Sequence, residues 1–440
     1  MCLISNGAQW GRMQWTALRR SFAGESRRQL MVSISALAGS GLVAVVLRFI
    51  GGIVQGRFVG PETLGFYTKF TILPSALFFL HLGVFTSLAR QYPYYVGKGE
   101  RERAMSYAAN ALGWTWLLSA VHALAFLTPC LWAGWKGDWA SALGWGTQSV
   151  LSVASLYMFY LGCTYRNSSE FVTWSRATII SAVISILALP LVAMYQFAGL
   201  CVRNAFPNIV STGYAHWKRP LRIQHRFEWN VLWEMMAFGA PLMIFAYISH
   251  QLTDATARSF ILSELGEKSL GIYAYAGMLC LALTTVSTSI SQVFNPRLAM
   301  RYGSSSNSMA KTFAFCMKCS LVGTAVMLPL VVLTWWAVDP LVRLLLPKYV
   351  ECIPITRWLC WLSLIPVIDL PKQLLMVAKR TREFGIAVVV GYMVLLFGGV
   401  MITYWDMVTL ESIAGVIIFS KIFSVIVSNV FSWRIAMLEQ

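Results

Sequence analysis

The sequence is a succession of long apolar stretches joined by short polar connections, and this pattern constrains the fold more than any other feature. An apolar helix needs about 20 residues to cross the hydrocarbon core of a bilayer. Twelve stretches meet that requirement: 31–56, 63–90, 105–133, 142–165, 171–194, 196–216, 230–257, 269–296, 310–338, 352–377, 384–404 and 407–432. The connections are too short to form a soluble domain. The sequence therefore predicts an all-α integral membrane protein with about twelve transmembrane helices.

The composition agrees with a membrane protein and excludes a nucleic-acid-binding one. Hydrophobic residues make up 57% of the chain and charged residues only 12%, whereas soluble domains carry about 25% charged residues. The net charge of +17 could suggest a nucleic-acid partner, but such binding requires Lys and Arg clustered on one polar face. Here the cations are spread over the short connections, so we expect no nucleic-acid partner.

The distribution of Lys and Arg predicts the orientation of the chain. Twenty of them fall in segments on one side of the twelve stretches and only five on the other side. Because cytoplasmic connections are enriched in Lys and Arg, both termini are predicted to be cytoplasmic. Residues 1–30 form a basic cytoplasmic tail that is expected to lie on anionic membrane lipids. Met31, at the start of the first apolar stretch, is an alternative start of the protein.

A repeated motif divides the chain into two halves. The segments GPETLGFYTKF (60–70) and GEKSLGIYAYA (266–276) share the pattern G-x-x-x-L-G-x-Y. Six predicted spans separate them, and an even number gives both halves the same orientation, as in transporters built from parallel repeats. We therefore predict two six-helix lobes, 31–217 and 218–440, with the first glycine of each copy in a tight turn and the second at a close helix contact. Chance similarity between two apolar segments is the alternative.

Several segments resemble a known family of transporters. VGPETLGFYTKF (59–70) and LGVFTSLARQYPYYVGKGERERA (82–104) resemble the first half of the polysaccharide flippases, the Wzx-type O-antigen transporters. These belong to the multidrug/oligosaccharidyl-lipid/polysaccharide exporter superfamily. FGAPLMIFAYISHQLTDATARSFILSELGEKSLGIYAYA (238–276) and DPLVRLLLPKYVECIPITRWLCWLSLI (339–365) resemble the second half. The resemblance covers most of residues 31–380 and is more specific to the superfamily than to a substrate.

The resemblance implies a two-lobed transporter with a central cavity that opens alternately to either face of the bacterial inner membrane. Members of the family carry an oligosaccharide linked to undecaprenyl pyrophosphate to the outer leaflet, for O-antigen or other surface polysaccharide. They are driven by ion gradients and not by ATP. The resemblance therefore implies a flippase that is not an enzyme and needs no cofactor. Polymerase and chain-length proteins of the same pathway are the implied partners.

Two other functions are considered as alternatives. A multidrug exporter of the same superfamily would favour acidic residues in its cavity to hold cationic drugs, whereas the excess here is basic. A membrane polysaccharide polymerase or glycosyltransferase is less consistent with the short outer connections and the absence of a D-x-D motif. Neither a complete phosphate-binding loop nor an H-E-x-x-H metal motif occurs. Cys316 and Cys319 are interpreted as packing residues, so no metal site is predicted.

Charged residues inside the predicted spans identify candidate functional positions. The cations are Arg48, Lys69, Arg176, Arg203, Arg258, Lys311, Lys318, Arg357, Lys372 and Lys421, and the acids are Glu234, Asp254, Asp369 and Glu411. An unpaired cation at the bilayer centre costs at least about 2.5–3.5 kcal/mol. Helical spacing allows Asp369 to pair with Lys372 and Asp254 with Arg258. An anionic ligand would neutralise the remaining cations.

We predict that the substrate's pyrophosphate or acidic sugars are held by cations from both halves of the chain. The candidates are Arg48, Lys69, Arg176, Lys318 and Lys421. Snorkelling of the side chain to a nearby interface is the alternative, most of all for Arg258, Lys311 and Arg357.

One further pair occupies equivalent positions in the two halves. Arg48 and Asp254 each precede the first glycine of their motif copy by twelve residues. Arg48 and Asp254 are predicted to form an outer gate. The alternative is that Asp254, with Arg258 beside it, binds the coupling ion. Coincidence is a further alternative. No catalytic residue is predicted.

Overall fold

The computed structural model describes residues 27–168, 170–304, 308–378 and 380–438, and these residues form helices and short connections with no strand. The predicted tail up to Ser26 lies outside the described residues. The helices are α1 Arg27–Phe58, α2 Pro61–Leu77, α3 Val84–Lys98, α4 Arg101–Trp135, α5 Trp139–Asn167, α6 Phe171–Leu187, α7 Leu189–Trp217, α8 Trp229–Tyr247, α9 Thr253–Ser304, α10 Met309–Leu345, α11 Ile353–Leu362, α12 Ile365–Ile368, α13 Leu370–Val377, α14 Thr381–Tyr404 and α15 Leu410–Leu438. The prediction of an all-α fold is confirmed.

The number of membrane spans was also predicted from the sequence. Among the described residues, seven helical stretches are long and apolar enough to cross a membrane, or eight if the bent pair α6 and α7 is one span. One of these stretches, Trp229–Gln292, has 64 residues, about three times the length that one crossing needs. Each of the twelve predicted stretches consists mostly of helical residues. The count of twelve is not confirmed by this criterion and stays a prediction.

The chain forms two compact units, which we call unit 1 and unit 2. Unit 1 contains the described residues up to Arg48 together with Phe79–Pro190 and Cys201–Ala240. Unit 2 contains Phe49–Phe78, Leu191–Leu200 and Pro241–Gln440. This grouping by proximity does not test the predicted lobes 31–217 and 218–440.

Unit 1 is organised around the helical hairpin of α4 and α5. The extended connection 218–228 lies against α4, where the backbone N–H of Glu228 donates to Asn110 Oδ1 at 2.6 Å. A side chain at Gly113 would place its Cβ 2.2 Å from the carbonyl oxygen of Arg226. Glycine therefore permits the connection to pack directly on the helix.

In unit 2, the turn of the second motif copy interrupts α9. Gly266 has φ +76° and ψ −174°, a backbone conformation that is open to glycine and strained for other residues. The turn of the first copy is at Gly60, between α1 and α2, where the backbone is extended. Both first glycines therefore lie at helix breaks, as predicted.

The second glycines of the two motif copies pack against each other in unit 2. A Cβ on Gly65 would lie 1.7 Å from the carbonyl oxygen of Glu267 and 3.0 Å from the backbone nitrogen of Gly271. A Cβ on Gly271 would lie 1.9 Å from the carbonyl oxygen of Pro61 and 2.8 Å from the nitrogen of Gly65. Pro61 and Glu267 are equivalent positions in the repeat, so the contact is reciprocal. The prediction that these glycines allow a close helix contact is confirmed.

The predicted span 352–377 is not a continuous helix. It consists of the end of the 3₁₀ helix Pro347–Cys352 and of α11, α12 and α13. Pro366 and Pro371 lie near the starts of α12 and α13. Proline has no backbone N–H and clashes with the preceding turn, so the helix breaks at both places. Asp369 lies at the second break, with φ −88° and ψ 23°.

Three other predicted spans contain a break. The span 63–90 is interrupted at Leu82 and Gly83, whose φ angles are +46° and +77°. The span 230–257 contains a π-helical segment, Ile248–Leu252. The span 171–194 is interrupted at Ala188, with Pro190 in the first turn of α7. The boundary predicted between residues 194 and 196 is also present, because the backbone of Gln196 is non-helical, with φ +48° and ψ −108°. The breaks at Leu82 and Ala188 lie among mostly apolar residues, which is why the hydropathy pattern did not predict them. The π-helical segment contains the polar residues Ser249, His250 and Gln251.

Candidate functional site

A polar cavity lies within unit 2, where the broken helix α11–α13 faces the π-helical segment and α15. Its volume is about 390 Å³. The polar and charged side chains that line it are Ser249, His250, Thr284, Thr288, Ser291, Gln292, Asp369, Lys372, Gln373 and Lys421. Two lysines and one aspartate are its charged residues, so the lining carries a net positive charge.

Asp369 and Lys372 form an ion pair in this cavity. Lys372 Nζ donates to Asp369 Oδ2, and Ser428 Oγ donates to Asp369 Oδ1 at 3.0 Å. Both charged residues are buried, with exposed fractions of 8% and 7%. The pairing of these residues, predicted from their spacing, is confirmed. The break in the helix at Asp369 leaves its carboxylate in contact with Lys372 on the next helical turn and with α15.

Lys421 is the other cation of the cavity. Its ammonium group donates to the carbonyl oxygen of Ser249, which belongs to the π-helical segment. Segments of π-helix change the hydrogen-bond pattern of a helix and occur often at functional sites. Lys421 makes no ion pair with any residue in the described part of the chain. An ammonium group that donates only to a carbonyl oxygen has further N–H groups that can bind an anionic ligand.

Lys69 lies outside this cavity, beside the motif contact. Its ammonium group binds Glu267 Oε1 at 2.7 Å and lies 3.8 Å from the ring centroid of Phe66. Phe197 packs edge-on against Phe66, and their ring centroids lie 4.8 Å apart. Lys69 was predicted to lack an acidic partner within the chain, and that prediction is wrong. Glu267 was overlooked because it lies in a turn that was placed outside the predicted spans.

Asp254 and Arg258 form the ion pair that their spacing predicted. Arg258 Nη2 lies 2.9 Å from Asp254 Oδ2, and Arg258 Nη1 donates to Thr71 Oγ1 at 3.3 Å. Both side chains are partly exposed. The pairing is confirmed, and their role as a gate or an ion-binding site stays a prediction.

The remaining candidates are exposed at separate places. Arg48 lies on α1 and Arg176 on α6, both in unit 1, and Lys318 lies on α10 in unit 2. None of the three makes a hydrogen bond or an ion pair with a residue that the structure describes. Of the three candidate substrate-binding lysines in unit 2, Lys421 lines the cavity, whereas Lys69 and Lys318 do not.

Sequence reasoning missed three polar residues of the cavity. His250, Gln292 and Gln373 line it, and all three lie in predicted spans. The candidate positions predicted from the sequence were all charged residues. Uncharged polar side chains at these positions were an available signal, because polar residues inside a bilayer normally face protein or water.

No metal site is found in the described residues, where no three His, Cys, Asp or Glu side chains are arranged to hold an ion. Cys316 and Cys319 are free and buried. They pack with Leu370, Leu374 and Val388, which agrees with their interpretation as packing residues.

Comparison with known proteins identifies a family pattern in the middle of the chain. Residues 140–354, slightly less than half of the sequence, match the model of a family described as polysaccharide biosynthesis protein. No curated protein matches the sequence.

Solved structures with the same fold are transporters and a flippase. An inward-facing multidrug resistance MATE family transporter of the MOP superfamily has a TM-score of 0.71 and 12% identity, and 92% of this chain and 98% of that chain are covered. The lipid II flippase MurJ in an inward closed conformation has a TM-score of 0.69 and 12% identity, with coverage of 90% and 87%.

A third structure is a MOP superfamily transporter from Pyrococcus furiosus, described by a reverse polarity of its binding pocket. It has a TM-score of 0.62 and 13% identity, with coverage of 93% and 96%. Two of these neighbours are described as transporters and one as a flippase. The chain therefore has the fold of the MOP superfamily transporters, and its predicted resemblance to the polysaccharide flippases of that superfamily is confirmed.

Proposed function

We propose that this protein is a flippase for an oligosaccharide linked to undecaprenyl pyrophosphate. It carries this lipid across the bacterial inner membrane by alternating access, for O-antigen or another surface polysaccharide, with both termini in the cytoplasm. The family match supports a role in polysaccharide biosynthesis, and the fold shared with a lipid II flippase supports the transport of a lipid. In this proposal the two lobes, 31–217 and 218–440, move against each other.

The observation that carries the proposal is the unpaired ammonium group of Lys421 in the cavity of unit 2. Asp369 is the one carboxylate of the cavity lining, and it is bound to Lys372. A cation without a counter-charge inside a bilayer costs at least about 2.5–3.5 kcal/mol, and a phosphate oxygen would offset that cost. The ammonium group of a lysine binds phosphate as a point charge.

The size of the cavity limits which part of the substrate it holds. Pockets for small molecules have volumes of about 300–1,000 Å³, and this cavity has about 390 Å³. That volume accommodates a diphosphate with an adjoining group but not a whole oligosaccharide. We therefore assign the diphosphate to the cavity. The polar side chains of His250, Gln292 and Gln373 are available to hydrogen-bond its oxygens.

The test uses a strain that lacks the gene and expresses variants of Lys421. Lys421→Ala should abolish surface glycan, Lys421→Arg should restore part of it, and Lys421→Glu should restore none. The measurement is surface glycan normalised to protein in the membrane, together with lipid-linked oligosaccharide retained on the cytoplasmic face. Lys311→Ala is the matched control, since Lys311 is exposed at the start of α10. Normal export by Lys421→Ala would contradict the proposal.

A second candidate function, multidrug export, is favoured by the fold shared with MATE transporters. A drug cation would need a free carboxylate, whereas the carboxylate of Asp369 is already bound to Lys372 and Ser428. The two functions differ in one measurement. Deletion of the gene should leave the susceptibility of the cells to cationic drugs unchanged and remove surface glycan.

A further inference from the structure

A pocket lined by tryptophans lies along α11 and against Trp335 of α10 in unit 2, apart from the polar cavity. Its lining consists of Trp335, Pro354, Arg357, Trp358 and Trp361, and its volume is about 440 Å³. Arg357 is the only charged residue of that lining. Trp358 and Trp361 are exposed to 48% and 38%, so the pocket opens to the surroundings of the helices.

The guanidinium group of Arg357 is held in place without an acidic partner. Its Nε donates to the carbonyl oxygen of Trp335 at 3.4 Å, and the group lies 4.7 Å from the ring centroid of the same tryptophan. Neither terminal nitrogen has a hydrogen-bond partner in the described part of the chain. A guanidinium group fixed at one edge presents its remaining N–H groups as a fork, which matches two oxygens of a phosphate.

The position of the pocket along the helices indicates the headgroup level of the bilayer. Trp335 is followed within one turn of α10 by Asp339, which binds Arg343 at 2.6 Å near the end of the helix. Tryptophans are enriched at the boundary between hydrocarbon and water. We infer that the pocket lies at the depth of lipid phosphates, on the side predicted to be the outer one, with one cation in a lining rich in tryptophan.

We propose that this pocket binds the headgroup of an anionic phospholipid, with its phosphate on Arg357 and its glycerol and first methylene groups on Trp358 and Trp361. Charge complementarity selects a phosphate. The apolar rings favour a phosphate that carries a lipid over a free, fully hydrated phosphate ion. Arg357 lies on α11, which leads through the breaks at Pro366 and Asp369 to the polar cavity. A lipid bound here stabilises the helix that supports that cavity.

The experiment measures the thermal stability of the purified full-length protein with lipids in mixed micelles. Phosphatidylglycerol should raise the unfolding temperature by several degrees more than phosphatidylcholine, and inorganic phosphate alone should raise it no more than chloride does. Arg357→Gln should remove the difference between the two lipids. Arg343→Gln should keep it, because Arg343 is exposed at the same end of α10 but outside the pocket.

Three results would overturn the proposal. They are equal stabilisation by the two lipids, stabilisation by inorganic phosphate alone to the same degree, and an unchanged lipid difference in Arg357→Gln. If Arg357→Gln does not fold, Trp358→Ala decides, because it removes an exposed ring and keeps Arg357. In Trp358→Ala, the difference in unfolding temperature between the two lipids should fall at least by half. An unchanged difference would overturn the proposal.

Discussion

Lys69 and Glu267 form an ion pair at 2.7 Å, and each residue comes from a different copy of the repeated motif. The pair lies beside the contact of Gly65 with Gly271, so the two copies are joined by close backbone packing and by opposite charges. Lys69 also lies against the ring of Phe66, which adds a cation–π interaction.

We expect the ion pair to contribute modestly to stability. In a double-mutant cycle of Lys69→Ala and Glu267→Ala, the coupling energy should be about 0.5–1 kcal/mol, because both side chains are partly exposed to screening. Lys268 and Glu351, which pair at 2.7 Å with greater exposure, are the control and should show less coupling. The measurement is the unfolding temperature of the purified variants. Equal coupling in both pairs would show that the aromatic surroundings of Lys69 contribute nothing.

Gly65→Ala should be strongly destabilising. The new Cβ would lie 1.7 Å from a backbone oxygen, so the two helices would have to separate, and overpacking of this kind costs about 1–3 kcal/mol or more. Gly277→Ala is the control, because a Cβ at Gly277 meets nothing within 4 Å. The measurement is the yield of monodisperse protein after extraction from the membrane. Similar yields for both variants would contradict the close contact.

Removal of one partner from the buried pair should cost more than removal of both. Asp369→Asn leaves the buried ammonium of Lys372 without a counter-charge, and such a loss costs about 3–5 kcal/mol. The double variant Asp369→Asn with Lys372→Met should be more stable than the single one. Asp339→Asn, in an exposed pair with Arg343, should have little effect. Thermal unfolding of the four proteins provides the comparison.

The exposed cations Arg48, Arg176 and Lys318 give a separate test of the substrate path. Replacement of each by Ala should lower export of the glycan while the protein inserts normally. Lys should restore part of the function at Arg48 and Arg176, because it keeps the charge but loses the two-pronged hydrogen bond of Arg. Lys136→Ala, in the turn after α4, is the control. Normal export by all three Ala variants would show that these residues do not hold substrate.

The predicted topology can be tested by cysteine labelling in intact cells, in a variant without the native cysteines. Lys268→Cys should react with a membrane-impermeant reagent added from outside. Arg222→Cys should react only after the inner membrane is permeabilised. The opposite pattern, or labelling of both residues from outside, would contradict the orientation derived from the distribution of Lys and Arg.

The sequence predicted the features that depend on local rules. The apolar stretches located the helices, because apolar length determines what can cross a membrane. The glycines at positions 65 and 271 could be predicted as contact residues from the repeat. The ion pairs of Asp369 with Lys372 and of Asp254 with Arg258 followed from helical spacing.

The features that the sequence did not predict depend on distant parts of the chain. The partner of Lys69 is almost 200 residues away, and no pattern within one segment indicates Glu267. The cavity requires the break at Asp369, the π-helix around Ser249 and the side chain of Lys421 to meet. Each of these features is visible in the sequence only as a proline, a polar residue or a lysine inside an apolar stretch.

The reciprocal contact of Gly65 and Gly271 has a consequence for the symmetry of unit 2. The contact between the two motif copies is reciprocal, as in a twofold dimer interface. In such an interface, residue i of one copy contacts residue j of the other, and residue j of the first contacts residue i of the second. A chain of half this length with one copy of the motif could form the same contact with a second molecule. The contact in unit 2 therefore has the form of a twofold dimer interface contained within one chain.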